Sequence, residues 1–453
     1  MYLAEVIIRI MSPRRWCRVL IALSLALPSE VLLSACGSSS AAEPSGGSAG
    51  MNGSIAGGAG ATALAGATAS GGSSGFAGSV GSAGSAGSAG SAGSGGSLAG
   101  AGASGSAGSA GSGGVAGGAG ASSSAGSGGS AGFQVWPGGN AVVTVDPVNT
   151  YASDLSGLQY EPAQGNSPAV LWAVQNSPSK LYRLLWNGTT WSSDSSNGWS
   201  AGKTLHFANG QGAPDSEGVT KAVFGGSSVY ASTERDNEDA NVSRLSLLLF
   251  DASSASATLN ATREWNLTSD LPRVGSNLGL EAIAWVPDTY LVSKGFIDES
   301  KNQPYDPASY ANHAGGIFFV GIEQNGMIYG FALDHVGGGF TRVATIESGN
   351  SGVMDLSFDR DVGYLWAVCD DTCQGRTNVL DVDTRPGSAT LGKFYIRRGF
   401  ERPSTMPNLN NEGFTVTTES TCQSGFKSVF YAEDGSSNGH AIRRDSIPCG
   451  PFL

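Results

Sequence analysis

The sequence predicts an all-β domain built as a single β-propeller, with five blades favoured over six, behind a leader and a long linker. Three observations predict it. Short β-branched or aromatic runs recur with turn residues between them, no segment carries a sustained helical period with caps, and one polar phrase repeats through the chain.

The runs are Val170–Val174, Ser228–Ser232, Tyr290–Ser293, Gly363–Val368 and Ser428–Ala432, each read as a strand. Asn187-Gly188, Asn197-Gly198, Gly225-Gly226 and Asn325-Gly326 supply turns between such runs. The phrase reads Asp154-Leu-Ser-Gly-Leu158, Asp215-Ser-Glu-Gly-Val219, Leu280-Glu-Ala-Ile283, Asp355-Leu-Ser-Phe358 and Asn411-Glu-Gly-Phe414. Each copy pairs an acidic or hydroxyl residue with an apolar one, often through Gly or Ala, and a strand follows. The strand in turn ends near a second polar cluster: Gln175-Asn176, Glu234-Arg235-Asp236, Ser293-Lys294, Cys369-Asp370-Asp371 or Glu433-Asp434-Gly435. The copies are about 55 to 75 residues apart, room for four strands and variable loops. A β-sandwich needs no such recurring phrase. Residues Phe133–Val145 are available to close the ring with the C-terminal strands.

Gly supplies 69 of the 453 residues, and the glycines are concentrated. Residues 37–132 are mostly Gly, Ala and Ser, with Glu43 the sole charge. Such a segment buries too little apolar surface to offset the entropy of ordering it. The period-three glycines of Gly81–Gly93 lack the prolines of a collagen helix, so the segment reads as a coil spanning roughly 55 Å. Its Gly46-Gly47-Ser48-Ala49-Gly50 matches a nucleophile elbow in letters only, without the flanking strand and helix. The net charge is −12 overall; with +2 in residues 1–36 and −1 in the linker, residues 133–453 carry −13. That acidity argues against non-specific nucleic-acid binding.

Residues 1–36 read as a secretory leader: Arg14, Arg15 and Arg18 precede the apolar run Val19–Leu27, which is too short to span a bilayer. Leu33-Ser34-Ala35-Cys36-Gly37 resembles the lipobox of bacterial lipoproteins. The resemblance implies lipidation of Cys36, several acyl chains on one residue, and a membrane anchor. Positions 37 and 38 are not Asp, which by the same resemblance favours the outer membrane or cell surface.

The phrases Asp215–Val219, Asn277–Ile283 and Asn411–Phe414, with Ser232–Asn237 and Tyr431–Gly435, resemble the esterase-like phytase family of bacterial β-propellers. The resemblance implies hydrolysis of phosphate or carboxylic esters. In a propeller the repeated phrases converge on one mouth of the channel. That brings together Asp154, Glu217, Glu281, Asp355 and Glu412, which repel unless a cation or protons intervene. Oxygen ligands of this kind suit Ca²⁺, with Glu217, Glu281 and Glu412 as the candidate metal ligands. The other reading of the same acids is that they bond backbone N–H groups of a neighbouring blade and lock the ring.

Arg235, Lys294 and Arg376, each just beyond a blade strand, are candidate anion contacts, with a structural or surface role the alternative. The runs Glu234–Asp239 and Asp359–Asp361 read as solvated loop faces. Asp381-Val382-Asp383 begins like a calcium loop, but Arg385 occupies the next ligand position. His206, His313, His335 and His440 show no metal-ligand spacing, and no Ser stands out as a nucleophile. Trp191 and Trp199 suit packing between strands, or sugar or protein contact if exposed. Beyond Cys17 and Cys36 four cysteines remain, with three pairings open; Cys369–Cys373 and Cys422–Cys449 are favoured. The functional expectation is therefore a lipid-tethered monomer that hydrolyses a small-molecule ester with Ca²⁺, phytase-like or lactonase-like, or a non-catalytic propeller that binds a ligand or surface protein.

Overall fold

The computed structural model describes residues 132–139, 142–151 and 153–453. The leader 1–36 with Cys36, and the linker as far as 131, lie outside the described residues. The rest is all-β in character, with 47% of residues in strands and 6% in helix, arranged as five blades of a β-propeller.

Each blade runs outward from an inner strand through three further main strands. Blade 1 contains Leu155–Glu161, Val170–Gln175, Lys180–Trp186 and Lys203–His206. Blade 2 contains Pro214–Thr220, Ser228–Asp236, Ser243–Asp251 and Arg263–Asn266. Blade 3 contains Leu280–Pro287, Gly316–Ile322, Met327–Leu333 and Phe340–Glu347. Blade 4 contains Asp355–Asp359, Tyr364–Val368, Thr377–Val382 and Phe394–Phe400. Blade 5 contains Asn411–Val416, Phe426–Ser437 and His440–Pro448, and its outer strand is Val143–Thr144 from the other end of the domain.

That last pairing closes the ring. Val143 faces Arg444 and Thr144 faces Arg443 in antiparallel register. Just upstream, Trp136 is buried against Trp366 of blade 4 and Tyr431 of blade 5, with ring centroids 6.1 and 6.2 Å away. The segment expected to close the ring does so, and it also wedges the last two blades together.

A blade is covered on both faces, so its strands bury side chains in both directions and read as continuous apolar runs. Five clusters of buried side chains result, one at each interface between neighbouring blades. For example, Val170 and Val174 of blade 1 meet Val219 and Val229 of blade 2, while Leu155 and Leu158 meet Phe430 and Ile442 of blade 5. Trp191 and Trp199 are buried in this way, so they pack between strands and present no surface to a sugar or partner.

One expected strand is a helix. Asp288–Ser293 forms a helical turn, closed where the Lys294 N–H donates to the Tyr290 carbonyl and Gly295 takes φ 63°. Tyr290–Ser293 is a short apolar run that reads as strand by residue type, but the inner strand has already ended at Pro287. The second strand of blade 3 is Gly316–Ile322 instead. Both expected disulfides form: Cys369–Cys373, and Cys422–Cys449 across the base of the last hairpin.

Candidate functional site

The repeated phrase is the first turn of each inner strand into the channel. In four blades it carries a β-bulge: Ser156 and Gly157 lie between the paired residues Leu155 and Leu158, and Glu217 and Gly218 between Ser216 and Val219. Glu281 likewise lies between Leu280 and Ala282, and Glu412 between Asn411 and Gly413. A bulge re-aims the unpaired side chain, which is how a residue on a buried strand comes to face the channel mouth.

The small residue of the phrase has a steric cause. A Cβ on Gly218 would lie 2.8 Å from both the Glu281 carbonyl and the Ile283 amide of blade 3. A Cβ on Gly413 would lie 2.5 Å from the Ser156 carbonyl of blade 1. The inner strands approach backbone to backbone at this level, and a larger residue would open the ring.

Asp355 of blade 4 follows the other reading of the acids. Its strand has no bulge and pairs in register, Asp355 with Val368. Fully buried, its carboxylate accepts the Phe414 N–H at 2.6 Å, the Leu356 N–H at 2.7 Å and the Leu158 N–H at 3.3 Å. It joins blades 1, 4 and 5. Burial holds its acid well above the usual carboxylate range despite those three donors.

The other acids gather at the mouth. Carboxylate oxygens of Asp215, Glu217 and Glu234 lie within 4.8 Å of one another, and so do those of Glu234, Glu281 and Glu323. Asp215, Glu217, Glu234 and Glu281 are all buried, the most exposed at 5%. Glu217 Oε1 accepts from the Asn176 side-chain amide at 3.3 Å, while Glu217 Oε2 and Asn176 Oδ1 are buried with no hydrogen-bond partner among the described residues. Asp215 Oδ2 is 2.6 Å from Arg235 Nε, and Arg235 Nη1 is 3.8 Å from Glu234 Oε1. Gly279 N–H donates to Glu234 Oε2 at 2.8 Å.

Glu412 stands a little apart, accepting from Ser156 Oγ at 3.0 Å and from the Asn410 side chain at 2.9 Å. The same Asn410 amide reaches Asp434 at 3.2 Å. Asp154 sits at the rim with φ 61°, its carboxylate taking the Ser153 hydroxyl at 3.0 Å.

The crowding shows in the acidities. Burial, and then the charges of Asp215, Glu412 and Glu234, raise Glu217 far above its ordinary value. Glu281 is raised likewise by burial and by Glu217 and Glu234. Glu234 is pushed up to about 8, mainly by burial. Glu412 also reaches about 8, through burial and then Asp434, and Glu323 reaches about 7, through burial and then Asp370. Each would rather be protonated, or matched by a cation, than carry its charge unassisted.

The structure therefore brings Glu217 and Glu281 together as expected, leaves Glu412 beside them, and gives Asp355 a structural place. It corrects Glu234, which is 1% exposed and faces the channel. The strand Ser228–Asp236 extends through it, so only the residues beyond form the solvated loop. Asp215, Glu234 and Glu323 were not among the expected ligands. Asp215 stands in the repeated phrase itself; the signal for the other two was the second polar cluster, which in blade 3 is Glu323 and not Ser293-Lys294, because the strand there is Gly316–Ile322.

Of the candidate anion contacts only Arg235 is at the mouth. Lys294 follows the helical turn beyond the far end of its inner strand and pairs with Asp381 at 2.9 Å. Arg376 lies two strands outward and pairs with Glu401 at 3.2 Å. None of the four histidines joins the acids: His313 pairs with Asp288, His335 with Tyr230, His440 with Asp146, and His206 with the Gly212 carbonyl.

A separate cleft of about 350 Å³ opens between blades 1 and 2, by the opposite end of the inner strands. Its charges are already matched, Lys221 with Glu161 at 3.2 Å and Arg183 with Asp194.

Fold and site define a five-bladed β-propeller with an acid-lined channel mouth. No family model and no curated protein matches the chain. Among solved structures it is similar to a chain in the crystal structure of the mitotic checkpoint complex. That match has 9% identity and a TM-score of 0.29, over 69% of this chain and 93% of that one. So distant a likeness carries no functional inference.

Proposed function

We propose that the protein is a lipid-anchored, surface-tethered propeller whose channel mouth binds Ca²⁺ and hydrolyses phosphate or other esters. The observation that carries the cation is Glu217, a buried carboxylate with one oxygen unpartnered, facing Asp215 and Glu234. The donor set fits a hard ion: carboxylate oxygens, with the Asn176 amide oxygen beside them. The ester class comes from the resemblance of the repeated phrases to esterase-like phytases. The anchor comes from the lipobox-like Cys36, and the tether from the linker.

Asp215, Glu217, Glu234 and Glu281 would hold the ion, which would polarise an ester or phosphoryl oxygen and lower the pKa of a bound water. Glu412 holds a proton at neutral pH, since its acid reaches about 8, and Ser156 and Asn410 fix its two oxygens. It is the group placed to exchange a proton with water or a leaving alcohol. Arg235 is held against Asp215, so it positions that carboxylate.

One observation favours a second reading, a propeller that binds a ligand without turnover. Arg235, the cationic side chain placed among these acids, is already matched by Asp215, so it is not free to hold an anionic ester.

The test is turnover by the detergent-purified full chain on 4-nitrophenyl phosphate, 4-nitrophenyl acetate and phytate, with Ca²⁺ or with chelator. The hydrolase reading expects Ca²⁺-dependent turnover that Glu217→Gln abolishes while the melting profile stays cooperative. Absence of turnover on all three substrates, with Ca²⁺ bound, would replace it by the binding reading.

A further inference from the structure

The geometry points to a second binding site, the cleft between blades 1 and 2, for a neutral polyhydroxyl molecule the size of a mono- or disaccharide. It lies by the end of the inner strands opposite the mouth and does not depend on the cation proposed there. Its walls are loops of both blades: residues 162–169 and 194–199 of blade 1, and 221–227 and 252–253 of blade 2. Two ties between the blades bracket it. On one side Glu161 of blade 1 accepts the Gly225 N–H and lies 3.2 Å from Lys221 Nζ, which also donates to the Gly226 carbonyl at 2.6 Å. On the other the Asn197 side-chain amide donates to the Ser253 carbonyl at 3.4 Å. The cleft of about 350 Å³ is therefore built into the ring, at the small end of the range for ligand sites.

What the cleft takes follows from the hydrogen-bonding groups left free on its floor. The acids there are filled. Glu161 Oε2 accepts the Trp172 indole N–H at 2.7 Å, and its Oε1 has the Gly225 N–H. Asp194 Oδ1 accepts both the Ser196 N–H at 2.8 Å and the Ser196 hydroxyl at 2.7 Å, and its Oδ2 has Arg183 Nη1. Arg183 is not filled: Nη1 alone has a partner among the described residues, and the side chain is 23% exposed. Its Nε and Nη2 remain as donors, so the ligand must present acceptor oxygens. Glu161 and Asp194 already match Lys221 and Arg183, so a further carboxylate or phosphate would bring a charge with no counterpart, whereas a hydroxyl brings none. Gln164, Ser167 and Ser227 are exposed at the rim and can each donate and accept, which suits a molecule with hydroxyls on several sides. Trp172 and Trp199 are 3% and 2% exposed, so recognition rests on hydrogen bonds and not on stacking against their rings.

The experiment is calorimetric titration of the full chain, purified in a detergent without a sugar headgroup and held in chelator so that no cation occupies the mouth. The probes are glucose, maltose and cellobiose, with glucuronate as the anionic counterpart. Wild type is expected to bind one equivalent of at least one neutral sugar, more tightly than glucuronate. Arg183→Lys keeps a charge opposite Asp194 but loses the free guanidinium edge, and should weaken that binding about tenfold. Gln164→Ala changes an exposed rim residue and leaves the floor intact, so it should weaken binding severalfold in a chain that still folds. Three results would each overturn the assignment: sugar binding unchanged in both variants, glucuronate preferred to every neutral sugar, or no binding of any probe by a chain with a cooperative melt.

Discussion

The Asp355 carboxylate accepts the Phe414 backbone N–H at 2.6 Å, from blade 4 to blade 5, and also the Leu158 N–H of blade 1. Of the five repeats, this acid serves the ring and not the mouth. Its two inter-blade donors are buried, so removing the acceptor leaves them unpaired. Asp355→Ala is expected to destabilise the chain by about 3 kcal/mol. Asp355→Asn, which keeps an acceptor oxygen, should cost clearly less. Denaturant unfolding of both variants checks the order.

Ring closure rests on a few residues from one end of the domain. Trp136 fills the seam between blades 4 and 5, and its indole N–H donates to the Ser446 carbonyl at 3.2 Å. Trp136→Ala should cost about 4 kcal/mol through the cavity it leaves. Because the seam joins the last blade to its neighbour, hydrogen exchange should rise first in Asn411–Val416 and Tyr364–Val368 and not in blade 2.

The Cys422–Cys449 bridge clamps the last hairpin beside the Cys449 N–H to Gly425 carbonyl bond of 2.9 Å. The two cysteines are 27 residues apart. Loop-closure entropy for that length gives about 3.5 kcal/mol of stabilisation. A Cys422→Ser, Cys449→Ser double variant should lose that amount in denaturant unfolding, and reductant should then cost it little more at this bridge.

The acids of the mouth make stability depend on pH with a definite sign. Glu234 and Glu412 titrate at about 8 in the fold and Glu323 at about 7, against 4.5 as the ordinary value. Between those limits the unfolded chain gives up protons that the fold retains. Unfolding free energy without metal therefore falls as pH rises from 4.5 to 8. His335, whose acidity is shifted the other way by burial, opposes this, while the raised acids Glu217, Glu281 and Asp355 add to it. The melting temperature in chelator should drop across that window. Saturating Ca²⁺ should restore it at pH 8, because the ion replaces the retained protons.

Much of this was legible in the sequence. The repeated phrase marked the inner strands, because bulge and backbone approach demand the same few residue types at each: an acid or hydroxyl, then Gly or Ala. Glu217, Glu281 and Glu412 were placed by that repetition alone. What repetition could not reveal was which copies lack a bulge, so Asp355 looked like its neighbours. Glu234 was hidden in a charged run whose later members are solvent-facing, and a strand end within such a run has no sequence mark. Glu323 was missed through Tyr290–Ser293, a short apolar run whose type is decided by tertiary position. The fates of Lys294 and Arg376 likewise depend on outer-strand partners, Asp381 and Glu401, distant in sequence.

The central claim is that the mouth is a cation site. Thermal unfolding of the full chain at pH 8, with Ca²⁺ and with chelator, tests it most directly in wild type and Glu217→Gln. The account predicts that Ca²⁺ raises the wild-type melting temperature and leaves that of Glu217→Gln unmoved. An equal response in both chains, or none in wild type, would contradict it.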